Sequence, residues 1–177
     1  MAEVNPEGKR LFNSKTILAL GIVLLVVAVA VFSFLNRDET GLREGTVVVK
    51  AGDSILGSFT VVDLLQLPAV EKKMTIRSSQ GNTENEFTCV PMLAVLNSID
   101  PELTQRYRKI ITRGVDNYTS GLNMSEVLQP DNVYIAYADY GKPLKTKTGG
   151  DGSMRIIICN DEYGQRLARW LVSLELQ

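Results

Sequence analysis

NVYIAYADYGKPLKTKTGGDGSMRIIICNDEYGQRLARW, from Asn132 to Trp170, is the stretch on which the reading of this chain turns. Two β-rich runs, Val133 to Ala138 and Met154 to Cys159, flank a turn at Asp139-Tyr140-Gly141 and a glycine-rich loop at Gly149-Gly150-Asp151-Gly152. A third run, Leu167 to Leu176, follows them. The order of the parts is more specific than any one of them. It runs from an Ala-Tyr strand to a Tyr-Gly-x-Pro-Leu turn, then to Arg155 entering an apolar strand, then to Gly-x-Arg-x-x-Arg-Trp ending at Trp170.

Working outward toward the N-terminus, Asn123 with Glu126 three residues later predicts a capped short helix that ends before Pro130. Tyr107 to Arg113 reads as a strand and Gly114 to Gly121 as a loop. Pro91 at the start of the Met92 to Ile99 run suits the first turn of a helix, and Pro101 stops or restarts it. Met74 to Ser78 alternates as a strand does, while the polar run Ser79 to Glu86 predicts a loop. Thr60 with Asp63 three residues on marks another helix start, with Phe59 as its staple, and Leu67-Pro68 closes that helix. Thr46 to Ala51 is a valine-rich strand, turned by Gly52-Asp53. Short helices scattered among strands indicate an α+β domain with a mixed β-sheet core over residues 46–177.

Ahead of this domain, Ile17 to Leu35 carries no charge and is built from Leu, Val and Ala. At about 1.5 Å per residue the run covers roughly 28 Å, enough for a bilayer core, and predicts a transmembrane anchor over residues 16–35. Residues 1–15 form a tail and 36–45 a polar linker. Lys9, Arg10 and Lys15 precede the run unmixed, whereas Arg37 and Arg43 are interleaved with Asp38, Glu39 and Glu44. That asymmetry predicts a cytoplasmic tail and a single-pass protein of the cell membrane with its C-terminal domain outside. A cleavable signal peptide is the rival reading, through Ala28-Val29-Ala30.

Composition removes several chemistries. The 177 residues include no histidine, which excludes His-based acid–base catalysis, Ser-His-Asp and Cys-His nucleophile pairs, and His-ligated zinc or haem. The two cysteines, Cys89 and Cys159, do not make a disulfide scaffold or a four-cysteine metal site. Lys+Arg 19 against Asp+Glu 20 gives no basic excess, and nucleic acid is not an expected partner. Asp151, Asp161 and Glu162 lack the ligand spacing of a calcium loop. Asn117-Tyr118-Thr119 and Asn123-Met124-Ser125 fit glycosylation acceptors, which matters only in a host that glycosylates.

The order of motifs from Phe59 to Leu176 resembles the molybdopterin-binding domain of the sulfite oxidase family. Phe59 to Pro68 is similar to its short helix ending in Leu-Pro. Cys89-Val90-Pro91-Met92 resembles its Gly-Val-Pro-Leu helix start, and Asp116-Asn117-Tyr118 resembles its Asp-Gly-Tyr. The resemblance implies a sulfite oxidase-like fold and molybdopterin as cofactor, with a cysteine thiolate on molybdenum just after the Met74 to Ile76 strand. Here that position is Ser78, or Ser79 if the loop aligns one residue differently, so the metal ligand is not matched and no metal site is expected. Loop 145–153 also departs from the family, lacking its His-Gly-x-Pro segment.

By the same resemblance, Arg155, Arg166 and Arg169 fall where basic side chains line the phosphate and pterin side of the cofactor. A planar guanidinium suits phosphate through paired hydrogen bonds, and the bland alternative is three solvated strand-face charges. No catalytic residue can be named. The expectation is an extracytoplasmic domain without molybdenum that binds an anionic small molecule, a pterin, or an envelope protein partner. The alternative is an active molybdopterin-dependent oxidoreductase with atypical coordination, serving an electron-transfer partner. Cys89 and Cys159 would close a loop of about 70 residues if bridged, worth roughly 4 kcal/mol, or would stay as separate buried thiols.

Overall fold

The computed structural model describes residues 14–35, 42–79 and 81–177, with side chains left aside at 14–16, 33–35 and 78. Most of the expected tail and linker, residues 1–13 and 36–41, lies outside the described residues. The chain divides into two units, one through Gly41 and one from Leu42 to Gln177. The first contains helix α1 (Ser14–Leu35), whose Leu and Val side chains between Ile17 and Phe32 are exposed. Among the described residues no helix is long and apolar enough to cross a membrane.

The second unit is an α+β domain of two sheets, and its chain order explains how they interlock. Strand β1 (Thr46–Ala51) buries Val47 and Val49 on alternate positions, and β2 (Ser54–Thr60) folds back on it with a bulge at Val49/Lys50. Helix α2 (Val61–Leu64) starts at the capping box of Thr60 and Asp63, the Thr60 amide donating to the Asp63 carboxylate at 2.7 Å. Then β3 (Val70–Ser78) and β4 (Gly81–Pro91) form a long antiparallel hairpin, paired from Val70↔Cys89 to Ser78↔Gly81. Pro91 leads into α3 (Met92–Ile99), which buries Met92, Val95 and Leu96, and α4 (Leu103–Arg106) follows Pro101.

Strand β5 (Lys109–Gly114) pairs with β6 (Thr119–Asn123), and α5 (Met124–Leu128) opens on a second capping box, Asn123 with Glu126. Strand β7 (Val133–Asp139) carries the short β8 (Lys142–Pro143) and the wholly buried β9 (Arg155–Ile158). A 3-10 turn at Gly164–Arg166 precedes β10 (Leu171–Leu176). One sheet has the order β2-β1-β10-β5-β6, with β10 parallel to β1 and antiparallel to β5. The other has the order β3-β4-β7-β8, and β9 also pairs with β7. The core is continuous across them, with Phe87, Leu96, Ile110, Ile135, Ile156 and Leu174 fully buried. Truncating one such side chain to Ala costs about 2–5 kcal/mol.

The structure changes three sequence expectations, adds one strand and decides between the two states left open for the cysteines. Gly81 to Glu86 is the first half of β4 and not a loop; residues 81–84 are exposed, so no apolar alternation marks the strand. Strand β2 was not anticipated from Ser54-Ile55-Leu56-Gly57, and β6 occupies part of the expected loop between Gly114 and Gly121. The last strand begins at Leu171 and not at Leu167, because Trp170 takes a positive φ of 49°, which breaks the extended run. Cys89 and Cys159 are both free thiols.

Candidate functional site

Arg155 opens β9, opposite Ala136, at a position that the sheet buries. Its side chain is left 9% exposed, with the guanidinium carbon 5.1 Å from the centre of the Phe87 ring. Nε is buried with no hydrogen-bond partner, and no ion pair reaches this side chain among the described residues. Burial, and then the like charge of Arg169, bring its pKa down to about 10, against a smaller upward pull from Asp139. Asp139 is itself engaged, its carboxylate accepting from Asn85 Nδ2 at 2.7 Å and the Glu86 amide at 3.0 Å. Arg155 therefore stays cationic at neutral pH in a place where an unpaired cation costs several kcal/mol, on the order set by desolvation. An anion delivered from solvent would meet that cost.

The space for one is present. A pocket of about 270 Å³ is lined by Leu144, Lys145, Ser153, Arg155, Arg169 and Trp170. Arg169 stands in the turn before β10, and the backbone reaches this place because residue 114 is glycine: a Cβ there would lie 2.5 Å from the Arg169 carbonyl oxygen. Trp170 is fixed from the other side, its indole Nε1 donating to the Lys145 carbonyl at 3.0 Å. Arg169 also lines a second pocket of about 270 Å³ with Asp116, Tyr118, Gly164 and Gln165. Gly164 and Gln165 in turn line a third, of about 520 Å³, with Arg77, Ser79, Asn82 and Tyr163. Shared residues thus chain the three pockets into one groove. It runs from Arg155 to the β3–β4 turn, where Ser78 ends β3 opposite Gly81 and Ser79 faces the groove.

Arg166 is placed differently. Its Nε donates to Asp161 Oδ2 at 3.0 Å, its terminal nitrogens to Glu126 at 2.8 and 3.2 Å and to the Gly121 carbonyl at 3.2 Å, and a further contact joins it to Asp161 Oδ1. These hydrogen bonds, Glu126 first and Asp161 next, raise its pKa. Glu126 also takes the Asn123 amide at 2.8 Å, so one carboxylate caps α5 and holds the 3-10 turn. With its donors taken by two carboxylates and a carbonyl, Arg166 lines none of the three pockets. The structure brings Arg155 and Arg169 together and keeps Arg166 apart.

Lys145 in the pocket wall and Phe87 against Arg155 are residues that the sequence did not single out. Trp170 lay in the Arg-Trp motif already, but its partner Lys145 sits in loop 145–153, which departs from the family. Neither cysteine lines the groove. Cys89 is fully buried, its Sγ donating to the Val70 carbonyl at 3.5 Å, and burial pushes its pKa up to about 12. Cys159 is half-buried and shifted upward for the same reason.

In this α+β domain a buried arginine with an unpaired Nε thus shares a pocket with a second arginine. The chain belongs to the family described as the oxidoreductase molybdopterin binding domain, whose model matches residues 53–177. The crystal structure of the sulfane dehydrogenase SoxCD from Paracoccus pantotrophus shares the fold, with a TM-score of 0.56 at 18% identity. That likeness covers 74% of this chain and 37% of the other, so the chain spans little more than a third of that protein's length. No curated protein matches the chain.

The cofactor named by the family can be tested against the residues present. The unpaired Nε of Arg155, with Arg169 beside it, fits the phosphate end of a pterin cofactor. The metal end is not matched: serine stands where the resemblance places a thiolate. Among the described residues no group of three or more His, Cys, Asp or Glu side chains is arranged to hold a metal ion.

Proposed function

We propose that this chain is a membrane-anchored member of its family that binds a phosphate-bearing small molecule of the pterin class through Arg155 and Arg169, and carries no molybdenum. The observation behind this reading is that Arg155, buried and with its Nε unpaired, lines a pocket together with Arg169. A guanidinium in that position has no carboxylate counter-charge from the described residues, so the ligand's phosphate is the natural one. Arg169, exposed at the pocket rim, steers and clamps the same group. Serine at position 78 supports the absence of the metal, since an unactivated hydroxyl is far harder to deprotonate than a thiol.

Anchoring rests on the uncharged run Ile17 to Leu35, roughly 28 Å if helical at about 1.5 Å per residue. Lys9, Arg10 and Lys15 orient the tail toward the cytoplasm and the domain outward. Protease added to spheroplasts then digests the domain; full protection of it reverses the orientation.

The ligand reading is tested on the full chain in detergent. Inorganic pyrophosphate raises the melting temperature of wild type by stabilising the native state and leaves Arg155→Met unaffected. A wild-type melting temperature that ignores millimolar pyrophosphate overturns the anion site. Elemental analysis of protein from its native host separates this reading from the alternative, a molybdopterin-dependent oxidoreductase using a serine oxygen. The pocket of about 520 Å³ at Ser79 is the feature that favours that second reading. One molybdenum per chain decides for the oxidoreductase.

A further inference from the structure

The loop beside the arginine pocket is tied down by a residue that precedes the family domain. Between β8 and β9 the chain runs out and back, with Lys145 bridged to Asp151 through the backbone and through a 2.6 Å ion pair. The Thr146 amide donates to the Gly150 carbonyl at 2.8 Å, and Gly149 and Gly152 take φ values of 96° and 97° to make the turns. Both ends of the loop supply pocket wall, Lys145 on one side and Ser153 on the other. The tip, Thr146 to Gly150, contains no apolar side chain, so burial does not hold it.

What holds the tip is Glu44. Its Oε1 accepts the Lys147 amide at 2.5 Å, and its Oε2 accepts the Thr148 hydroxyl at 3.2 Å. A carboxylate taking adjacent donors with both oxygens is a charge-assisted clamp. The neighbouring residue follows the same path: a Cβ built on Gly45 would stand 3.7 Å from the Gly152 carbonyl oxygen. Glu44 lies in the stretch read as the linker, ahead of the family match that begins at residue 53. The contact spans 103 residues of sequence, and no pattern within the family domain encodes it.

We propose that Glu44 is a positioning residue for the anion pocket: it clamps loop 145–152 to the incoming chain, and so the linker sets the pocket's mouth. The inference rests on the reading of Arg155 and Arg169 as an anion site. With the clamp closed, Lys145 is held at the pocket wall, where its carbonyl receives the Trp170 indole. With the clamp open, ligand binding must also order the loop, which lowers affinity without removing any group that touches the ligand. Displacing the linker, as a partner gripping it would, opens the pocket by the same route.

The test uses the full chain in detergent, with inorganic pyrophosphate as the calorimetric probe and amide hydrogen exchange as the second readout. In Glu44→Ala the Lys147 amide is expected to exchange about tenfold faster, because local opening is no longer opposed. The pyrophosphate Kd rises about five- to tenfold through the added ordering cost, with the melting temperature within about 2 °C of wild type. Glu44→Gln, which keeps one acceptor oxygen, falls between the two. Unchanged exchange at Lys147 overturns the clamp. Faster exchange with unchanged Kd, in protein whose Arg155→Met variant does lose binding, overturns the coupling and leaves the anion site standing. No pyrophosphate binding by wild type overturns the anion site, and the positioning role with it.

Discussion

Arg155 and Arg166 are eleven residues apart in sequence, and the structure treats them in opposite ways. Arg166 is a third exposed and has two carboxylates, a carbonyl and a capping box built around it, so the protein itself satisfies its charge. Arg155 is nine-tenths buried and has an aromatic face and a void. A cation that a fold keeps for its own stability is surrounded with partners, as Arg166 is. One that is buried and left short of partners weakens the fold unless something from outside completes it, and the proposal of an anion site at Arg155 rests on that difference. Residue type and motif position did not distinguish the two.

The strongest way to break this contrast is Arg155→Met. Removing an unpaired buried cation for an apolar chain is expected to stabilise the free protein by about 1 kcal/mol or more while costing about 100-fold in pyrophosphate affinity. Denaturant melts and calorimetry on one preparation read both, and a destabilised variant would mean that Arg155 is already satisfied. The reverse pattern is expected at Arg166→Met. Leaving Glu126 and Asp161 without their counter-charge costs about 1–3 kcal/mol, discounted because Arg166 is 34% exposed, and affinity changes less than about twofold.

Acid sharpens the same contrast at smaller amplitude. The hydrogen bond from Arg166, with burial opposing it, holds the Glu126 carboxyl below its usual value. Its folded pKa lies below the unfolded value of about 4.3, so its contribution is present above that pH and is lost as pH falls through the folded pKa. Glu126→Gln should cost about 1 kcal/mol at pH 7, and the gap from wild type should close below about pH 4 in urea melts. A gap that does not narrow as the pH falls would point to packing and not charge. The smallest effect concerns Cys89, which shows what burial does to a group able to shed its charge. With a pKa of about 12 it stays a neutral thiol, and a disulfide reagent should label Cys159 slowly and Cys89 only after unfolding. Two thiols should be counted in unfolded, unreduced protein.

Local signals carried the parts of the fold that local chemistry decides. The Thr60–Asp63 and Asn123–Glu126 spacings located two helix starts because a capping box closes within four residues. The apolar runs in β7 and β9 located the buried strands. Strand β4 escaped in its first half because Gly81 to Glu84 is exposed, so its pairing with β3 leaves no mark on the pattern. The division into two sheets was illegible for a similar reason, since hydrophobic periodicity does not name a strand's neighbour. At the site, motif order pointed to Arg155, Arg166 and Arg169 together. What separates Arg166 from the others is Glu126, forty residues away, and a contact at that separation has no local signature. Lys145, placed by Trp170 and by the Glu44 clamp on its loop, escaped for the same reason.

The parallel pairing of β1 with β10, Val48↔Ser173 through Lys50↔Glu175, has a consequence for the order of assembly. Strand β10 is the middle member of its sheet, flanked by the first strand of the domain and by β5. A ribosome delivers the keystone last. Until residues 171–176 emerge, β1 and β5 each present a bare edge, a template for pairing with the wrong chain. The domain therefore acquires its first sheet in one late event and not progressively, and a chain stalled before Leu171 should be a substrate for chaperones.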